Sequence, residues 1–322
     1  MPTRSNRRMS NGGGKIEIIK PFGEAFELMK RILFQPFDFK KWFVIGFAAF
    51  LSGHISGLNL PIGNLGGSHP RNENIPSPDF EQWKPWLPII IVALVAVILI
   101  LIVLFSWLKA RGNFIFTDCI ARNRAAIAAP WREYRREGNS YFLFLLLVGF
   151  GSLSIFGVLA LGGFLLGLFG PGLAHTTMTP LLIIFLVLFL MLWIFFAFVF
   201  GVISYFMVPL MYVKRCRSGE AFRQVAGLFF ENAGSFILFC LFGFCLLLGA
   251  GMIGGIAICL TCCLAALPYI GTVILLPVWV CLRAFGLCFI RQFGADYDVW
   301  VAGPQSSPAP APEPPNPPPL PA

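Results

Sequence analysis

Acidic residues are missing from every long apolar stretch of this chain. A transporter driven by protons or sodium commonly places a carboxylate near the bilayer midplane, because an ionisable group in hydrocarbon is costly enough to need a use. With none present, such coupling is disfavoured. Charge is scarce throughout: 12% of the 322 residues are Asp, Glu, Lys or Arg, and 57% are hydrophobic. That is about half the charged share of a water-soluble domain, so lipid, not a water-surrounded core, must absorb the apolar surface. Also missing are a Walker loop, a Gly-x-Ser-x-Gly elbow and a His-Glu-x-x-His helix. Their absence argues against an enzyme with its own active site, and no cofactor is expected.

What is present is six long apolar runs, 42–58, 87–108, 141–169, 180–213, 235–262 and 268–290. At about 1.5 Å rise, roughly 20 helical residues cross a hydrocarbon core of about 30 Å. An all-α protein with six transmembrane helices is therefore expected. The first run is the shortest and most polar of the six, interrupted by Ser52, Gly53 and His54. The fourth, at 34 residues or about 51 Å, must tilt or project beyond the bilayer.

Positive charge gives the orientation. Of the 24 Lys and Arg residues, 22 fall before the first run, in the third and fifth gaps, or in and just after the last run; Arg71 and Lys84 alone occupy the second gap. By the positive-inside rule both termini are cytoplasmic, in a bacterial-type inner membrane. The formal charge of +9 is scattered through short loops and not gathered on one domain, so anionic headgroups explain it better than nucleic acid.

Residues 1–19 read as a disordered basic tail, 20–300 as the membrane domain, and 301–322, rich in proline, as a disordered extended tail. Between the tails a unit recurs: an amphipathic segment and then two spans. Phe22, Phe26, Met29 and Leu33 share one helical face, and such a helix is expected at the headgroup boundary. Gly219-Glu220-Ala221-Phe222 repeats Gly23-Glu24-Ala25-Phe26, a more divergent copy lies around 125–136, and Gly-Phe pairs at 46–47, 149–150 and 243–244 sit early in the following runs. Three helical hairpins, each preceded by a cytoplasmic amphipathic helix, account for this; chance similarity in Phe-rich and Gly-rich sequence is the alternative.

Candidate residues are few. Arg283 lies inside the last run, where its stem snorkels to the headgroups or its guanidinium pairs with a helix end, the alternative being an anion or substrate contact. His54 lacks a companion carboxylate or nucleophile and reads as an interfacial hydrogen-bonding residue. Cys259-x-x-Cys262-Cys263 has metal-ligand spacing but no second pair to close a four-ligand site, so these cysteines read as small packing residues. Gly163-x-x-x-Gly167 and Gly251-x-x-x-Gly255 offer smooth strips for internal packing or for a homo-oligomer, and Pro209 and Pro277 are expected to kink their helices. The third gap mixes aromatic and basic residues, from Arg111 through Phe114, Phe116 and Asp118 to Trp131, Arg132, Arg135 and Arg136. Beside a bilayer this composition suits contact with anionic lipid, which makes Arg132, Arg135 and Arg136 candidate headgroup contacts with Arg283.

This stretch and the helix-plus-two-spans layout resemble uncharacterised multipass bacterial membrane proteins, and more loosely the membrane domain linked to glycerophosphodiester phosphodiesterases. In the latter family the chemistry resides in a separate soluble barrel that this chain lacks, so the resemblance implies membrane integration and transfers no catalytic residue. The sequence thus points to a non-enzymatic membrane factor that binds lipid or organises a membrane partner or a second copy of itself. The alternatives are a small-solute or lipid permease using Arg283, and an intramembrane enzyme using His54 or the cysteines.

Overall fold

A computed structural model describes residues 16–54, 86–169, 175–260 and 267–301 of the chain. The described residues are all-α. In chain order the helices are α1 (Ile19–Leu33), α2 (Phe39–Leu51), α3 (Leu87–Ala121), α4 (Ala128–Glu133), α5 (Arg135–Phe169), α6 (His175–Lys214), α7 (Ser218–Glu231), α8 (Ala233–Leu260), α9 (Pro268–Ile274) and α10 (Leu276–Arg291), followed by a 3-10 turn at Ala295–Tyr297.

Four of them, α3, α5, α6 and α8, are long and apolar enough to cross a bilayer. Their most apolar windows are almost uncovered by the rest of the chain: 0% buried in α3 and α5, 6% in α6 and 17% in α8. The protein core lies instead beyond one end of these windows. In α3 the side chains of Ile89 to Phe105 are exposed, while Phe114, Ile115, Phe116 and Ile120 are fully enclosed; in α6 enclosure begins near Ile203 and runs to Tyr212. The expected projection of the fourth run is this buried end of α6.

Six spans were the sequence expectation, and the first and last runs take other forms. α2 has 13 residues, about 20 Å, and spends its apolar face on protein, with Ile45, Ala48 and Ala49 at 0% exposure. Asp38 begins it by accepting from the Lys40 N–H at 2.8 Å. It then runs back along α3: Lys41 Nζ donates to Asn123 Oδ1 at 2.8 Å near its start, and Leu51 and Ser52 meet Gly112 near its end. The last run breaks at Leu275 into α9 and α10. Pro277 sits in the first turn of α10, where its missing N–H is harmless and continuation of α9 is not, so it divides the run and does not merely kink it. Pro209 has no such effect, since α6 is continuous through it.

The apolar face of α1 is consumed by protein and not laid on lipid. Ala25, Met29, Ile32 and Leu33 are buried, Phe22 meets Phe285 edge-on at 6.1 Å, and Glu24 pairs with Arg291. Glu17 and Gln292 exchange two hydrogen bonds at 3.0 and 2.9 Å, so α1 runs antiparallel to α10. Glu17 and Ile18 thus belong to the packed body, three and two residues before the expected domain start at 20, and Val299 is enclosed at the other end. The remainder of both tails, the strip glycines' surroundings at Gly163 and Gly167, and Cys262 and Cys263 lie outside what is described. Among the described residues, nothing lies within 4 Å of where a Cβ would stand on Gly251 or Gly255.

The repeat is half visible. Ala25 in α1 and Ala221 in α7 are both fully buried, and Phe47, Phe150 and Phe244 are all exposed, but the middle copy contracts to the six-residue α4.

Close approach makes Gly112 the most demanding glycine: a Cβ there would stand 2.5 Å from the Leu51 carbonyl carbon, with backbone and no flexible side chain in the way. Gly112→Ala is expected to lower stability by about 1 to 3 kcal/mol. Gly149→Ala, where nothing lies within 4 Å, should be neutral or slightly stabilising. Thermal unfolding of the two variants in detergent distinguishes them, and equal melting temperatures would show that α2 does not rest on α3 as described.

Candidate functional site

The polar residues gather at the enclosed end of the four long helices. α3 carries Asp118 into the core at 0% exposure. Its Oδ1 accepts from the Tyr212 hydroxyl at 3.0 Å and its Oδ2 from Arg124 Nε at 2.8 Å, while Arg122 Nε stands 3.2 Å from Oδ1. Arg122 continues to Glu133 at 2.9 Å, and Arg215, from beyond α6, reaches the same Glu133 oxygen at 2.5 Å. Arg215 also lies 3.8 Å above the Tyr134 ring, which stacks on Tyr212 with centroids 4.7 Å apart. Arg215 sits in the left-handed region, at φ 52°, where a residue other than glycine is uncommon. The connections α3–α4–α5 and α6–α7, which carry Arg122, Arg124, Arg132, Arg215 and Arg217, are fastened together at one end by the pair of Arg215 with Glu133.

Two further arginines are buried without a carboxylate among the described residues. Arg283, 2% exposed, donates through Nε and Nη2 to Thr117 Oγ1 at 3.2 and 2.8 Å and lies 5.0 Å from the Tyr205 ring. It is neither at the headgroups nor at a helix end. His54 is folded into the same region, with its ring 4.8 Å from Trp279 and its Nδ1 2.7 Å from Ser52 Oγ. Arg111, 7% exposed, sits between Trp107 and Trp131 at 4.5 and 4.9 Å and donates twice to Asn139 Oδ1, at 3.1 and 2.8 Å. Aromatic faces and amide oxygens thus offset part of the cost of desolvating each guanidinium.

A third feature is a cavity of about 130 Å³ at the start of α5 and α7, lined by Arg136, Glu137, Ser140, Arg215, Cys216 and Arg217. That is about four waters' share of liquid volume. Ser140 Oγ accepts from the Ser218 N–H at 3.2 Å and lies 3.0 Å from Ser218 Oγ, joining the two helix starts. Arg136 and Arg217 are exposed and make no ion pair with a described carboxylate, whereas Arg215 is spent on Glu133. Glu137 is 7% exposed; its Oε1 is 3.7 Å from Arg215 Nη1 and its Oε2 has no hydrogen-bond partner.

The four candidate residues therefore separate. Arg136 lines the cavity, Arg132 and Arg135 are exposed near it in sequence but are not part of its wall, and Arg283 belongs to the enclosed cluster on Thr117. Glu137, Ser140, Arg215 and Arg217 were not singled out by sequence. The signal that bears on them is the Arg217-Ser218-Gly219-Glu220 start of an amphipathic helix, which supplies the positive end of a helix dipole, although the N–H groups of Ser218, Glu220 and Ala221 are already bonded to Ser140 Oγ and the Arg217 carbonyl.

Burial alone would push the Glu133 carboxyl up, but hydrogen bonds and charge from Arg122 and Arg215 overcome it and hold the group below its ordinary value of 4.5. A depressed carboxylate stabilises the folded state above its unfolded pKa, and that contribution is lost as pH falls through the folded value. The melting temperature in detergent should accordingly decline as pH drops below about 4.5. Glu133→Gln should lower stability at pH 7 and flatten this acid limb; an unchanged limb would remove Glu133 from the network's acid sensitivity. Thr117→Val should cost about 2 to 3 kcal/mol by stripping Arg283 of its acceptor, and Arg283→Met added to it should recover part of the loss. A double variant no more stable than Thr117→Val would count against that pairing.

No curated protein and no solved structure matches the chain, and nothing connects it to the glycerophosphodiester phosphodiesterases of the looser resemblance. One family model does match, over residues 16–299, the whole of the packed body described above. The chain therefore belongs to the DUF7544 family, a family of unknown function.

Proposed function

We propose that this is a multipass protein of a bacterial-type inner membrane, without an enzymatic site of its own, that holds phosphate-bearing lipid headgroups against its basic end. The observation that carries the reading is the cavity walled by Arg136, Arg215 and Arg217 beside the serine pair and the start of α7. Of these, Arg136 and Arg217 make no ion pair with a described carboxylate, and free guanidinium groups bind a phosphate diester. Arginines of this kind beside a bilayer contribute about 1 kcal/mol each toward an anionic surface, roughly fivefold in affinity.

The placement of the chain ends supports the orientation. Glu24 with Arg291, Lys41 with Asn123 and Lys214 with Asp296 bring α1, the start of α2 and the end of α10 to the end that carries the basic connections. α3 begins at the opposite end, about 52 Å away along its 35 residues. α10 returns along α8, from Leu275 beside Gly254 to Phe289 beside Phe236. This path is compatible with both chain ends on one side of the membrane, the side that carries the basic connections.

Accessibility labelling of single cysteines at Asn72 and Asn123 should report opposite faces of the membrane. Native mass spectrometry of the purified protein should show retained phospholipid, and the double variant Arg136→Gln, Arg217→Gln should lose most of it. Equal retention by variant and wild type would detach lipid binding from the cavity, and no retained lipid in either would end the lipid-binding reading.

A further inference from the structure

Apart from the cavity, two arginines that face no carboxylate lie at the edge of the apolar surface. On α3 the uncovered side chains end at Phe105 and full enclosure begins at Ala110, so that Trp107 and Arg111 straddle the edge. On α5 the uncovered side chains begin at Leu143, and Asn139 stands one turn earlier. The two helices meet at this level: Asn139 Oδ1 accepts from Trp107 Nε1 at 3.2 Å and from Arg111 Nε and Nη2 at 3.1 and 2.8 Å. Half-buried tryptophans at such an edge mark the headgroup layer of a bilayer.

The Arg111 guanidinium is held there from three sides. The Trp107 and Trp131 rings lie 4.5 and 4.9 Å from it, and Asn139 takes one of its edges. Its remaining nitrogen, Nη1, has no hydrogen-bond partner and yet is not among the enclosed unpaired atoms, so it reaches the surface. A guanidinium fixed in this way loses little freedom on binding, and its open end is a charged donor to an anion. The charge that bears on Arg111 is of its own sign: Arg135, exposed and four residues before Asn139 on the same face of α5, repels it. The described carboxylates of this region are engaged elsewhere, Asp118 with Arg122 and Arg124, Glu133 with Arg122 and Arg215, and Glu137 turned toward Arg215.

We infer that Arg111 and Arg135 hold between them the phosphate of an anionic, glycerol-type phospholipid, with Trp107 and Trp131 at the depth of its ester groups and its acyl chains along the uncovered face of α3. This deepens the lipid-binding reading above; it rests on the membrane placement in that reading and not on the cavity. A phosphate at this point replaces a repulsion with charge-assisted hydrogen bonds to two guanidinium groups. The apolar window of α3, 0% buried, begins within one turn of Trp107 and gives the chains a direct route into hydrocarbon. The surroundings select the net charge of the headgroup. Lys109 and Arg132, exposed two and three residues from Arg111 and Arg135 along the chain, pair with no described carboxylate. An ammonium on the headgroup would be brought up to these cations, whereas a glycerol headgroup carries the phosphate charge alone.

The test is native mass spectrometry of the full-length protein, delipidated and then given equal amounts of phosphatidylglycerol and phosphatidylcholine with identical acyl chains. The lipid still retained by the Arg136→Gln, Arg217→Gln protein should be phosphatidylglycerol over phosphatidylcholine, and adding Arg135→Gln should lower it about fivefold. Arg111→Gln should lower it to a similar degree. Because Arg111 is enclosed, that variant is the one at risk of misfolding; Arg135 is exposed, and gel filtration confirms that its variant is folded. Unchanged retention on adding Arg135→Gln, or no lipid left to lose in the Arg136→Gln, Arg217→Gln protein, overturns this site and leaves the cavity reading standing. Equal retention of phosphatidylcholine overturns the anionic headgroup. No lipid retained by wild type overturns both readings. Water-soluble glycerophosphoglycerol forms the last arm: its binding by wild type and not by Arg135→Gln, with no lipid retained, makes the free diester the ligand and overturns the lipid assignment.

Discussion

Asp118 is the carboxylate around which the basic end of the molecule is assembled. It is fully enclosed, and a lone charge in that position would be prohibitive; it is tolerated because Tyr212, Arg124 and Arg122 converge on its two oxygens. The partners come from two places: Tyr212 from the end of α6, Arg122 and Arg124 from the turn after α3. Arg122 then passes the connection to Glu133, and Glu133 passes it to Arg215. The chain of contacts ties three sequence-distant segments into one body. It also decides which arginines remain available: Arg215 is bound inward, whereas Arg136 and Arg217 are left facing the cavity. The candidate site is in this sense what remains after the structural network has taken its share of the positive charge.

The sequence made the long apolar helices legible for a physical reason. Apolar runs of bilayer length and the segregation of Lys and Arg are each imposed by the cost of charge in hydrocarbon, and such costs act locally on the chain. The division of Pro277 from Pro209 was less accessible. Both stand inside apolar runs, and only tertiary packing of Leu275 and α9 against α8 and α2 makes one a helix start and leaves the other mid-helix. The same holds for Gly112, Gly46 and Gly286, whose close approaches to Leu51, Val273 and Tyr205 are contacts across long separations in sequence. The Gly-x-x-x-Gly strip that spacing picked out, at Gly251 and Gly255, meets none of the described residues within 4 Å.

The site residues illustrate the same limit. Arg136 was visible as a basic residue beside an aromatic stretch. Arg283 was visible as a charge inside an apolar run, but its environment is a hydroxyl and a ring in the protein interior, because the run that carries it packs on α1 and α3 and not on lipid. Glu137 gave no signal of its own: one acidic residue in a run of arginines reads as a local ion pair. Its significance comes from the fold, which sends Arg215 to Glu133 and leaves the second Glu137 oxygen unmatched.

Lipid offers helices almost no hydrophobic reason to associate, since its tails are as apolar as the side chains that meet them. The apolar windows of α3, α5, α6 and α8 are accordingly left uncovered by the chain. Specific packing is concentrated where water, headgroups and charge make burial worthwhile, in the aromatic core of Phe206, Phe236, Phe285 and Phe289 and the arginine network beside it. The burden of specifying the fold falls on that end. The cavity opens where the two regimes meet, one turn of helix from the first lipid-exposed residues of α5.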